Sequence, residues 1–152
     1  MSSSRSEIRE AWIRLVEELN PTMAVTLGSG LNCTAAPLNR DAKRFCCALE
    51  RKVLGAAWSE KPSDERMTAI GFHEHPSSNR HMHLAVAAPF AHEGRLMTDG
   101  NRLWRKMRSC GDFYCEPIEN VAAYARYITK DVGLAYEPED IFIYVPRPRP
   151  KW

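Results

Sequence analysis

The sequence predicts an α+β domain: a central, mainly antiparallel sheet of about five strands, flanked by helices. Three observations carry this expectation. Short β-branched or apolar runs alternate with amphipathic stretches of helical period. Two of the strands are separated only by "HPSSNR", His75 to Arg80, which dictates an antiparallel hairpin. At 152 residues, with 44% hydrophobic and 26% charged side chains, the chain suits one domain with one core, spanning 1–152.

Taken in order, "RSEIREAWIRLVEEL" (5–19) sets Ile8, Trp12, Leu15 and Leu19 at helical spacing, and Asn20-Pro21 ends the run. "TMAVTLGSG" (22–30) is β-branched, apolar and stopped by glycines, a buried strand and its loop. Asn39 or Asp41 then caps a helix, "DAKRFCCALERKVLG", with Phe45, Leu49 and Val53 on one stripe and Gly55 closing it. Lys61 to Glu65 is a polar turn. "RMTAIGFHE" (66–74) and "HMHLAVAAP" (81–89) are the hairpin strands, the second ended by Pro89. Residues 91–100 read as a loop, followed by a basic amphipathic helix to about Ser109, a short strand "DFYCEP", and a helix "IENVAAYARYITKD" that stops near Gly133. A final strand "DIFIYV" precedes a basic, proline-rich tail at 146–152. There is no internal repeat.

Composition excludes several function classes. No apolar run approaches the roughly 20 residues that cross a bilayer, and "MSSSRSEIREAW" lacks the apolar core of a secretion signal. No membrane partner is expected, and the default compartment is the cytoplasm. A net charge of +2 is too small for an indiscriminate polycation. Local clusters matter more: "RLWRKMR" (Arg102, Trp104, Arg105, Lys106, Arg108) and "RPRPKW" interleave cations with tryptophan, a composition suited to phosphate contacts and base stacking on Trp104 or Trp152. Five cysteines, odd in number and including the adjacent Cys46 and Cys47, form no disulfide framework and fit a reduced compartment. Cys110 and Cys115 lack the paired spacing of a zinc module.

Four of the five histidines fall between Phe72 and Val86. On an extended strand alternate side chains share a face, so His81 and His83 project together, about 7 Å apart, while Met82, Leu84 and Val86 point into the core. Two imidazoles on one face can grip one ion. Glu74, on the neighbouring strand, would complete a two-histidine, one-carboxylate set that leaves positions open on a divalent ion, Mn²⁺ or Mg²⁺, for phosphate oxygens or water. Parity alone leaves a second register open, in which His73 and His75 are the inward pair.

"HMH" followed by "LAV" resembles the histidine-hydrophobic-histidine motif of the HUH endonucleases, the superfamily of rolling-circle replication initiators, conjugative relaxases and single-strand transposases. Further along, Tyr127-Ile-Thr-Lys130 resembles the Tyr-x-x-Lys motif of the initiators, and the two motifs stand in that family's order. "AVTLGSG" is similar to the first initiator motif, and Glu74 falls where the family often carries an acidic metal ligand. The resemblance spans about Thr22 to Asp131.

It implies an HUH/RRM-like palm and an enzyme that nicks one DNA strand through a covalent intermediate, which retains the bond energy that hydrolysis would discard. Tyr127 would attack a phosphodiester, form a 5′-phosphotyrosine and free a 3′-hydroxyl for a polymerase. Lys130, three residues on, would reach the same phosphate or stabilise a phenolate. Tyr124, on the same helical face, is the alternative nucleophile. The expected target is single-stranded DNA or an origin hairpin, the expected form a monomer, and the compartment the cytoplasm of a bacterial host if the gene is carried by a plasmid or phage. With no phosphate loop in the sequence, a separate helicase is expected to accompany it, beside the polymerase. Two alternatives stand next to this expectation: a single-strand transposase of the same superfamily, against which the Tyr-x-x-Lys ending weighs, and a non-catalytic nucleic-acid-binding module.

Overall fold

Ser4 starts the first helix with a capping box: its hydroxyl accepts the Glu7 N–H at 3.3 Å, while the Glu7 carboxylate accepts the Ser4 N–H at 2.6 Å. The computed structural model describes residues 4–74, 79–133 and 136–147. Its elements are α1 (Arg5–Leu19), β1 (Met23–Gly28), α2 (Ala35–Leu54), β2 (Thr68–Glu74), β3 (His81–Ala87), α3 (Phe90–Met107), β4 (Phe113–Pro117), α4 (Val121–Ile128) and β5 (Ile141–Tyr144). The architecture is α+β, a five-stranded antiparallel sheet flanked by four helices.

Three elements differ from expectation, the first being α4, which runs Val121–Ile128 where a helix over 118–131 was expected. Helix α2 begins at Ala35 after Thr34, so Asn39 and Asp41 lie inside it rather than at its cap. Pro37 is compatible with this early start because it falls in the first turn, where backbone N–H groups have no helical partner to lose. The stretch 91–100 is the first half of α3 and not a loop. Gly100 sits within that helix because a Cβ there would run into the Phe113 ring, a contact supplied by a distant strand.

The strand order is β4-β1-β3-β2-β5, with every neighbouring pair antiparallel. Two β-α-β crossovers, β1-α2-β2 and β3-α3-β4, interleave in the split arrangement of ferredoxin-like sheets. Helices α2 and α3 both cover one face, where Val25, Leu27, Leu84, Phe45, Leu49, Leu96 and Trp104 form the larger core. On the other face α1 and α4 pack side by side over Phe72, Ala85 and Ile70, using Ile13, Val16, Ala125 and Ile128. No helix among the described residues is long and apolar enough to cross a membrane.

The larger core encloses one charge cluster. The Glu50 carboxylate, fully buried, accepts from Arg66 at 2.6 and 2.8 Å, from the Tyr144 hydroxyl at 2.8 Å and from the Met67 N–H at 2.6 Å. The fifth histidine, His92, is buried against it at 3.2 Å. Burial opposes ionisation of Glu50, but the hydrogen bonds from His92, Met67, Arg66 and Tyr144 outweigh it and hold the carboxyl below its usual range.

Candidate nuclease site

Register builds the site in two rows across the face that carries α4. Thr26 on β1 lies opposite His83 on β3 and Tyr114 on β4, and Gly28 lies opposite His81, which in turn lies opposite Glu74 on β2. Directly opposed residues in an antiparallel pair share a face, so His81, His83 and Glu74 project from the same side. The register that would turn His73 inward is not the one adopted. His73 points to the opposite face, 1% exposed, with Nε2 2.7 Å from Asn39 Oδ1 and Nδ1 3.3 Å from an Arg80 guanidinium nitrogen. His75 lies outside the described residues.

Four side chains close a circuit. His83 Nε2 is 3.1 Å from Glu74 Oε2, and the other Glu74 oxygen accepts from Lys130 Nζ at 2.7 Å. The Lys130 ammonium lies 4.5 Å from the centre of the Tyr127 ring, and that ring stands edge-on to His83 at 5.4 Å between centroids. Lys130 falls just beyond the end of α4, in a turn where its N–H reaches the Tyr127 carbonyl at 3.3 Å, so the three-residue spacing still brings the two side chains together. Tyr127 is 50% exposed, open to an incoming polymer.

The charges are ordered by these contacts. The Lys130 hydrogen bond, helped by His83 and opposed by burial, holds the Glu74 carboxyl below its ordinary range. The same bond raises Lys130. Burial pushes the His83 imidazole down, more strongly than Glu74 pulls it up, which keeps it neutral near pH 7 with a lone pair available. Thr26 Oγ1 lies 3.1 Å from His83 Nδ1 and so fixes the ring's orientation. When Nδ1–H donates to Thr26, the Nε2 lone pair faces the carboxylate, the arrangement a cation between the two groups would satisfy. His81, His83 and Glu74 share one face and carry nitrogen and oxygen donors of the kind divalent ions take. Among the described residues, however, no three His, Cys, Asp or Glu side chains stand close enough together to hold a metal ion.

Two expected site residues take other roles. Tyr124, the alternative nucleophile, donates its hydroxyl to the Leu84 carbonyl at 2.8 Å, and burial pushes its phenol far above the ordinary range, so its oxygen is engaged in packing while that of Tyr127 is not. Trp104 is fully buried, with its indole N–H on the Gly28 carbonyl at 3.0 Å, and offers no surface for a base. It belongs to the apolar stripe of α3. Arg102 pairs with Asp99 at 2.9 Å, and half-buried Arg108 pairs with Asp41 at 3.0 Å. Arg105 and Lys106 are exposed, but all of α3 covers the face opposite Tyr127. Trp152 lies outside the described residues.

The sequence reading missed Thr26 and Gly28. Thr26 has a local signal, being the one polar side chain in the apolar run Met23–Gly28. Gly28 has none: its role is the space it leaves for His81 across the strand pair. No family model, curated protein or solved structure matches the chain.

Proposed function

We propose that this protein is a site-specific single-strand DNA endonuclease and strand transferase of the replication-initiator kind, with Tyr127 as nucleophile. The observation that carries the reading is the circuit Tyr127–His83–Glu74–Lys130, which sets an exposed phenol against a cation donor set and an ammonium. In the reaction, Tyr127 Oη attacks phosphorus as its proton passes to solvent, a P–O bond forms to the phenol oxygen, the bond to the 3′-oxygen breaks, and that oxygen takes up a proton from solvent to leave as a 3′-hydroxyl. Reversal by another 3′-hydroxyl reseals a strand, so the bond energy is retained.

Lys130 stabilises the phenolate as the proton leaves, since its ammonium already lies over the ring. Glu74 holds Lys130 in that place. Thr26 orients His83, and His83 in turn sets the edge against which the Tyr127 ring rests. A divalent cation, Mn²⁺ or Mg²⁺, held by His81, His83 and Glu74 would withdraw charge from the non-bridging phosphate oxygens. The substrate is single-stranded DNA or an origin hairpin, because in-line attack needs a bendable backbone. Arg105 and Lys106 reach only strand that wraps past the sheet to the other face, and act there through phosphate charge.

The test is incubation of the protein with a random single-stranded oligonucleotide pool and Mn²⁺ or Mg²⁺, resolved on a denaturing gel. A covalent adduct that needs the cation and disappears in Tyr127→Phe supports the reading. A mobility shift with no adduct under any cation refutes it and leaves a non-catalytic binder.

A further inference from the structure

The two helical layers differ in charge. Helices α1 and α4 carry four Arg against four Glu, whereas α2 and α3 carry nine Lys and Arg against four Asp and Glu. All nine cations are exposed. The four acids are turned away: Glu50 lies inside on Arg66, Glu93 accepts from the Thr22 hydroxyl at 2.6 Å, and Asp41 and Asp99 are buried in the seam between the helices. Asp41 takes Arg44 at 3.5 Å and, from the end of α3, Arg108 at 3.0 Å. Asp99 takes Arg95 and Arg102, both at 2.9 Å. The Arg95 hydrogen bond, with the charges of Arg102 and of Lys52 on α2, holds the Asp99 carboxyl below its ordinary range. The start of α2 therefore lies by the end of α3 and its end by the middle of α3, so the helices run antiparallel. Each seam carboxylate is outnumbered, and it fixes guanidinium heads at the surface, which lowers the ordering cost of binding a further anion.

We propose that the outer face of α2 and α3 is a docking surface for double-stranded DNA, gripped through its phosphates without reading bases. Solvated surfaces intersperse both signs, but among the described residues neither of these helices exposes an acid. On α2, Arg40, Arg44 and Arg51 share a side at i, i+4 and i+11; on α3, Arg95, Arg102 and Lys106 do so at i, i+7 and i+11. Each row is about 16 Å long at 1.5 Å per residue, and packed helices stand about 8–10 Å apart. B-form DNA presents two phosphate rows across grooves about 6 and 12 Å wide, so one row of cations can face each strand. Along the seam, among the described residues, an unpaired base has no ring to stack on and a bilayer no large apolar side chain to receive. Trp104 is buried, and exposed Phe90 and Met97 lie about 160–180° round α3 from Asp99, on the margin away from the seam. The sheet separates this face from Tyr127, so one molecule can hold a duplex on one side and a separated strand on the other.

The experiment measures fluorescence anisotropy of a labelled, blunt-ended duplex across a salt series in EDTA, beside a labelled single-stranded thymine tract of the same length. Each phosphate neutralised adds about 0.9 to the slope of log Kd against log salt, so the wild-type protein is expected to show a slope of at least about 3.6, two phosphates per row. Arg40→Gln/Arg51→Gln is expected to lower that slope by about 1.8, and Arg105→Gln by about 0.9. All three positions are exposed, and an unchanged thermal midpoint ties each result to binding. The thymine tract is expected to keep its affinity in these variants, and Arg14→Gln, exposed on α1, to keep the wild-type slope on the duplex. No binding of the duplex, a slope that Arg40→Gln/Arg51→Gln leaves unchanged, or an equal loss on the thymine tract overturns the proposal. Binding to phosphatidylserine vesicles in place of the duplex overturns it in favour of a lipid surface. The expected losses in a protein that forms no adduct uphold the duplex face and overturn the nicking reading; an adduct without duplex binding does the reverse.

Discussion

Gly28→Ala isolates the position of one imidazole from the stability of the fold. A Cβ built on Gly28 lies 3.2 Å from His81 Cδ2 and Nε2 and 3.1 Å from Asp112 Cβ. Carbon contacts relax at about 3.5 to 4.0 Å, so the ring must move by about 0.3 to 0.8 Å. Gly28 has no left-handed backbone, and alanine adopts its conformation without strain. Overpacking of this size costs about 1–3 kcal/mol, against which the lower entropy of the unfolded alanine chain returns about 0.4–1 kcal/mol. The melting temperature should therefore fall by no more than about 10 °C, at about 2–4 °C per kcal/mol for a chain of this length. Chemistry is less tolerant: a displacement near 1 Å at a reacting centre costs about 100-fold. Single-turnover adduct formation should accordingly slow by about 10- to 100-fold, and Mn²⁺ affinity, read by calorimetry, should drop with it. Wild-type rate and wild-type Mn²⁺ affinity in folded Gly28→Ala would refute the argument that His81 works from the place Gly28 leaves for it.

Four further outcomes follow from the contacts. Tyr127→Phe should abolish the covalent adduct with no change in melting temperature, whereas Tyr124→Phe should keep the adduct and lose about 0.5–1.5 kcal/mol of stability in urea melts, the worth of its bond to Leu84; the reverse pattern would make Tyr124 the nucleophile. Lys130→Met should slow adduct formation at least about twofold, the lower end for a cation over an aromatic face; an unchanged rate would remove Lys130 from the chemistry. Glu50→Gln should cost about 3–5 kcal/mol at pH 7 by stranding buried Arg66. Because the folded-state pKa of Glu50 is depressed, its contribution is complete above the unfolded value near 4.5 and lost as pH falls through the lower folded value, so the gap between wild type and variant should narrow on acidification below about pH 4.5; a gap that is constant from pH 7 to pH 3 contradicts this. Arg9→Ala should slow nicking more than it lowers stability, because Arg9 donates to the carbonyls of Arg126 at 2.9 Å and Thr129 at 3.2 Å, the residues immediately before Tyr127 and Lys130; equal rates in variant and wild type would show that α1 does not position the nucleophile.

Much of the fold was legible because its signals are local. The β-branched run of β1 and the short hairpin connection each sit within a dozen residues, and α1 was placed correctly, although its buried face is Ile13 and Val16 while Ile8 and Leu15 of the expected stripe are exposed. The first half of α3 was not legible, since Gly94 and Gly100 read as punctuation until Phe113 arrives from β4 to occupy the space at Gly100. The paired projection of His81 and His83 followed from strand alternation, but whether Glu74 or His73 shared their face depended on register, which the hydrophobic pattern of β2 does not settle. Trp104 was misread from composition. A tryptophan among arginines suggests a stacking surface, yet it follows Leu103 and lies eight residues after Leu96, at helical spacing along a buried stripe, so periodicity was the better guide.

The topology explains why a site exists at all. Both crossovers lay their helices on one face, and that face is spent on the larger core. The other face receives only α1 and the eight-residue α4, too little to cover five strands, so polar side chains on β1, β2 and β3 can stand there half-buried. Partial burial is what the proposed chemistry requires. Complete burial would deny a polymer access to Tyr127, and full exposure would leave Glu74, His83 and Lys130 screened by water and free to part. Because α4 lacks the length to be stable by itself, its position is set by α1 on one side and the sheet on the other, through Arg9, the Arg126–Glu10 pair and the apolar contacts beneath. The N-terminal helix, which carries none of the groups proposed to react, thereby helps to hold the Tyr127 ring against the His83 imidazole.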